Sequence, residues 1–248
     1  MISGCLDAET VVFIKKDGSG TVTETVMFAD EAVAWSCTNS PATLLAMQRR
    51  RCMVRAQSMG RNTRLEFFRE LRSNGRVGFS AIYGFKDVRS LAIDPQPDAF
   101  LLGQIASQKP SSLRPVTFTL ESDNLVVNFP KPVPDEPATP EPKPQPIPRN
   151  LIAEQRAAVR TMFAGFRVRL LVKVDGTIGR TTAAHIEPGN RDTLVLFDLE
   201  VAKLLANDKH LDQLLTAGRI DDIDTARKRL AGLPNVRIES TERVEVEF

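Results

Sequence analysis

Four turn signals, each set between β-forming runs, restrict this 248-residue chain more than any other feature. Asp17-Gly18-Ser19-Gly20 separates Glu9–Lys16 from Thr21–Phe28, both rich in Val, Thr and Phe. Ser73-Asn74-Gly75 separates Arg64–Leu71 from Arg76–Phe85, and Asn-Gly is a strong hairpin signal because both residues tolerate positive φ. Ser122-Asp123 stands between Pro115–Glu121 and Asn124–Phe129, and Asp175-Gly176 between Phe166–Val174 and Thr177–Ile186. In the first turn, Gly18 and Gly20 are both expected to supply positive φ. The same tetrapeptide could open a calcium loop, but an EF-hand spreads its ligands over about twelve residues. Thr21–Val26 adds only Glu24, so the tetrapeptide reads as a plain turn.

Helices fill the intervals. Asp30–Ser36 reads as a short one. Ser40-Pro41 opens a longer one, with a capping serine and proline at the first helical position, and Met59-Gly60 closes it. Ala42, Leu45, Cys52, Ala56 and Met59 fall on one stripe at helical spacing. Lys86–Leu91 closes the second hairpin unit, and Asp94–Pro115 reads as loop with a helical turn at Phe100–Ala106. Asn150 caps a helix to about Phe163 that buries Ile152, Val159 and Met162 or Phe163. Thr193–Leu199 is a further strand, followed by short helices near Glu200–Ala206, Lys209–Ala217 and Thr225–Leu230. Val236, Ile238, Val244, Val246 and Phe248 share one parity in a closing strand over Val236–Phe248. Strands and helices do not alternate as a βαβ chain would. The expected fold is α+β: an antiparallel sheet of successive β-hairpins with a few helices packed on it, interrupted by a proline-rich loop.

That loop is Pro130–Pro148, in which nine of nineteen residues are proline. Each removes an N–H donor and fixes φ, so no sheet or helix interior accepts the stretch, and a solvated polyproline-like segment is expected. The organisation that follows is a short N-terminal box (1–8), a first α+β half (9–129), the proline-rich segment (130–149) and a second half (150–248) completing the same domain. The segment is either an inert insertion or an arm reaching a cell-wall or envelope-protein partner.

Composition narrows the function classes. A net charge of +2 gives no large field to hold nucleic acid or an anionic membrane by bulk attraction, and 42% hydrophobic content is enough for a core. No apolar run approaches the roughly 18–20 residues that span a bilayer. The two histidines, His185 and His210, lack a Cys or His at metal-ligand spacing. No Gly-x-Ser-x-Gly, His-Glu-x-x-His or Walker-type loop occurs. Asp221-Asp222-Ile223-Asp224 precedes a predicted helix, where Asp is a favoured cap. Arg49, Arg50, Arg51 and Arg55, extended by Arg61 and Arg64, could grip phosphates. Without interleaved aromatics or a Gly-rich loop they read as a solvated basic helix face. No catalytic residue, metal or cofactor is therefore expected. Cys37 and Cys52 are expected to stay unlinked, because the helix from Pro41 rises about 17 Å before Cys52, whereas a disulfide needs Cα atoms roughly 4.4–6.8 Å apart.

The N-terminus carries an address. Ile2-Ser3-Gly4-Cys5 resembles the box of bacterial lipoprotein precursors, in which small residues admit the signal peptidase and the cysteine thiol receives a diacylglyceryl group. Met1 alone precedes it, so the roughly 7–15-residue apolar core of a signal peptide would lie upstream of this Met, or the match is a chance one.

Gly4-Cys5-Leu6, Lys16 through Thr21, Ser58-Met59-Gly60, Tyr83-Gly84-Phe85-Lys86-Asp87-Val88, Met162 through Arg167, and Leu196-Phe197-Asp198-Leu199 with Lys203-Leu204-Leu205 stand in this order. In that order the chain resembles a group of uncharacterised bacterial lipoproteins common in planctomycetes and, more loosely, LppM-type lipoproteins. The resemblance implies export and a membrane anchor at Cys5, facing the periplasm or exterior, and implies no activity. The expected function is that of an envelope lipoprotein acting by binding or as a structural adaptor. A small-ligand or lipid carrier is the alternative, and an enzyme a third class.

Overall fold

The computed structural model describes residues 6–29, 41–94, 115–129, 153–211, 230 and 232–248. Its architecture is α+β, as expected, with antiparallel pairing throughout except at one place. The strands are β1 (Leu6–Ile14), β2 (Gly20–Ala29), β3 (Arg64–Ser73), β4 (Arg76–Phe85), β5 (Ala92–Ile93), β6 (Val116–Glu121), β7 (Asn124–Asn128), β8 (Arg167–Val174), β9 (Arg180–Thr181), β10 (Thr193–Glu200), β11 (Val236–Ile238) and β12 (Arg243–Glu247). The helices are α1 (Pro41–Ser58), α2 (Ala153–Met162) and α3 (Val201–Leu205). A seven-stranded sheet runs β11-β10-β8-β1-β2-β4-β3, and a five-stranded sheet runs β5-β6-β7-β12-β9.

Three of the four hairpins form. β1 begins at Leu6, three residues earlier than the composition of the run suggested, and pairs with β2 from Leu6↔Phe28 to Ile14↔Gly20. Asp17 Oδ1 accepts from the Ser19 amide and hydroxyl and closes the turn. Gly18 takes φ +80°, but Gly20 does not adopt positive φ; glycine is needed there for space, because a Cβ would lie 1.9 Å from the Phe13 carbonyl oxygen. Asn74 (φ 51°) and Gly75 (φ 68°) make the β3–β4 turn, and Ser122 (φ 55°) sits in the β6–β7 turn.

The fourth hairpin does not form. β8 pairs in parallel with β1, Asp7↔Arg167 through Ile14↔Val174, and antiparallel with β10. Of Thr177–Ile186, only Arg180–Thr181 is a strand, and it joins β12 in the other sheet. Local turn chemistry at Asp175-Gly176 cannot compete with two long neighbours for β8, whose Val168, Leu170, Leu171, Val172 and Val174 are all buried. The closing strand also divides: β11 edges the large sheet, and β12 enters the small one. Between them Glu239, 0% exposed, accepts from the amides of Ala184 and Thr241, turning the chain from one sheet to the other.

One core joins these parts. The inner face of the large sheet (Ala8, Val12, Val22, Val26, Phe79, Tyr83, Leu170, Val172), the inner face of the small one (Phe118, Val127, Val244, Val246) and a stripe of α1 (Cys52, Ala56, Met59) form a contiguous apolar cluster. A smaller cluster gathers Val159 and Phe163 with Val201, Leu205 and Leu211. The expected helix at Asp30–Ser36, the turn at Phe100–Ala106 and Pro130–Pro148 lie outside the described residues. So do Cys5, Cys37, Asp221–Asp224 and most of the last two predicted helices.

Candidate functional site

Helix α1 presents two chemically distinct faces. At 100° per residue, Gln48, Cys52, Arg55, Ala56 and Met59 share one side, and all five are buried. Two of them are strongly polar, and the sheet supplies what Arg55 needs. In β2, Val22, Glu24 and Val26 alternate onto the core face, so an acid occupies an apolar parity position. Arg55 Nη2 and Nε each lie 2.5 Å from Glu24 Oε1. The Tyr83 hydroxyl donates to Glu24 Oε2 at 2.9 Å, and Cys52 lies beside Tyr83.

Burial opposes the charge on Arg55, but adjacent Glu24 outweighs it and holds the guanidinium above its ordinary pKa. Burial pushes the Cys52 thiol up to about 11, with Glu24 adding to the effect. The same two causes, burial first, raise the Tyr83 phenol. The cluster therefore holds the Glu24–Arg55 ion pair and two protonated groups away from solvent. Its chemistry is that of an anchor fastening α1 to β2 and β4.

The opposite side of α1 is open. Arg49, Arg50, Met53, Val54 and Gln57 are exposed, Met53 by 57% and Val54 by 56%, with Arg51 at the flank. Arg55 does not belong to this basic surface, contrary to the sequence expectation, because Glu24 draws it inside. α1 carries no acidic residue, and Arg49, Arg50 and Arg51 have no ion-pair partner among the described residues.

The C-terminal end of α1 is fixed by its neighbours. Met59 O accepts from the Ala92 amide at 2.8 Å, and a Cβ at Gly60 would lie 2.0 Å from Ser90 O. Val88, in the same 3-10 turn as Ser90, donates to Gly18 O. After the helix, Arg64 pairs with Gly84, which pairs with Thr21. The C-terminus of α1 thus sits at the β1–β2 turn. Arg72 of β3, in register with the buried Val77, lies on the α1 side of the sheet.

A second charged group lies on the outer face of the large sheet. Arg169 meets Glu9 at 2.7 Å, Glu187 at 2.8 Å and Asp198 at 3.6 Å. Arg237 meets Asp198 at 2.6 Å and Glu187 at 3.0 Å, and Arg167 meets Asp198 at 3.2 Å. Burial acts against the Asp198 carboxylate, but hydrogen bonds from Arg167 and Arg237 prevail and hold its pKa below the usual range. Three arginines face three acids, so this ladder compensates itself and ties β1, β8, β10 and β11 side by side. His185 and His210 are partly buried and far apart in sequence. Among the described residues, no three His, Cys, Asp or Glu side chains gather as a metal site would need, and no helix is long and apolar enough to cross a membrane.

The buried Glu24–Arg55 pair is what sequence reasoning missed, and a signal for it existed. Glu24 breaks an apolar parity, and Arg55 falls between Cys52 and Met59 on the buried stripe.

No protein-family model and no curated protein matches the chain. Among solved structures it is similar to the folded domain of the Mycobacterium tuberculosis LppM protein, determined by NMR. The identity is 9%, the match covers 100% of this chain and 92% of that one, and the TM-score is 0.36.

Proposed function

We propose that this chain is a cell-envelope lipoprotein, held to a membrane by lipid on Cys5 and acting by binding or as a structural adaptor. The observation that carries the reading is the junction between address and fold. Ile2-Ser3-Gly4-Cys5 is followed without a spacer by β1, whose first residue, Leu6, is 2% exposed and paired with Phe28. Lipid on Cys5 would hold one end of the seven-stranded sheet at the bilayer with no flexible stalk. Mature lipoproteins carry two or three acyl chains, and stable anchoring takes more than one.

Fractionation of cells expressing the gene from its own locus, upstream sequence included, tests the proposal. The protein should sediment with membranes, its N-terminal peptide should carry a diacylglyceryl mass on Cys5, and Cys5→Ser should release it. A processed, exported protein with an unmodified Cys5 would end the proposal.

A further inference from the structure

The exposed face of α1 has no structural task among the contacts described, yet it is chemically organised. Arg49 and Arg50 are unpaired among the described residues and stand beside two exposed apolar side chains, Met53 and Val54, on a helix without an acid. Its other face is fixed to the sheet by the buried Arg55–Glu24 pair, so the outward face is rigidly presented. Arg72, exposed and also unpaired among the described residues, adds positive charge on the α1 side of the sheet; Glu70 is the acid on that face of β3.

We infer that this face of α1 is a second membrane contact, seated on a lipid surface that carries anionic headgroups. Arginine forks match phosphate oxygens, and adjacent Met and Val side chains enter the headgroup–acyl boundary, the pairing that interfacial helices use. A polyphosphate chain would answer the arginines but leave Met53 and Val54 in water. The inference builds on the Cys5 reading: lipid on Cys5 holds the domain, and α1 sets which side of it faces the bilayer.

The test uses the full chain carrying Cys5→Ser, so that no acyl chain contributes. It is sedimented with vesicles of phosphatidylcholine alone or mixed with phosphatidylglycerol at low salt. Binding should require phosphatidylglycerol and weaken as salt rises. It should fall roughly fivefold for each of Arg49→Gln and Arg50→Gln, the attraction of one basic side chain to an anionic surface. Met53→Ser with Val54→Ser should also weaken it, and none of these exposed substitutions should move the urea midpoint. Equal binding to both vesicle types, or unchanged binding by the double arginine variant, overturns the inference. Tighter binding to a DNA duplex than to vesicles overturns it in favour of nucleic acid. The protein tested carries no lipid, so failure here leaves the Cys5 reading standing, and failure of the Cys5 fractionation leaves this result standing.

Discussion

Glu24 occupies a position whose neighbours in the period-two pattern, Val22 and Val26, are buried and apolar. An ionised carboxylate there is tolerable only with charge and hydrogen-bond compensation, and Arg55 and Tyr83 provide it. Cys52 and Tyr83 beside it are held in their protonated forms, which makes stability depend on pH in the alkaline range. The thiol ionises near 9.0 in the unfolded chain and near 11 in the folded one. Below pH 9 both states keep the proton and stability is undiminished. Between pH 9 and 11 the unfolded chain releases a proton that the native state retains, so stability falls as pH rises. Tyr83 is shifted in the same direction. Urea midpoints measured from pH 8 to 11 should decline, and Cys52→Ala should flatten the decline. An identical slope in Cys52→Ala would show that the thiol is not a source of it.

At the level of elements, α1 is held by polar as well as apolar contacts. Removing one partner strands the other, so Arg55→Ala should cost about 3–5 kcal/mol. Replacing both, Glu24→Met with Arg55→Met, should cost much less, because a buried ion pair and a well-packed apolar pair of similar volume are close in free energy. Equal losses in the single and double variants, by urea denaturation, would mean that the two groups are not coupled. β-Strands were legible where alternation and turn chemistry agreed: Asn74-Gly75 sits between runs that pair from Ser73↔Arg76 onward. They were misread at Asp175-Gly176, where an equally good turn sequence follows a strand already flanked by β1 and β10.

Across the whole molecule, neither half closes a sheet alone. β8 and β10 from the second half complete the sheet begun by β1–β4, and β12 and β9 complete the one begun by β5–β7. A chain ending at residue 129 would leave β1 and β7 with unpaired edges and half the core exposed to water, so it should not melt cooperatively. Two fragments divided within 130–149, where no described strand pairing is interrupted, should copurify when coexpressed and unfold in one transition. A 1–129 fragment with a cooperative melt near that of the full chain would show that the first half is self-sufficient.

Alternation and turn residues in the sequence alone determined β1–β4 and β6–β7, the helix α1 over Pro41–Ser58, and the α+β class, because these depend on neighbours a few residues apart. The buried stripe of α1 was readable through Cys52, Ala56 and Met59 for the same reason. Only the tertiary structure decided the β1–β8 parallel register, the division of Val236–Phe248 between two sheets, and the removal of Arg55 from the basic surface. Each joins groups distant along the chain: Asp7 with Arg167, Glu239 with Ala184, and Arg55 with Glu24. Parallel pairing has no local turn to announce it. An arginine on a helix looks solvated until the strand facing it places a carboxylate within reach.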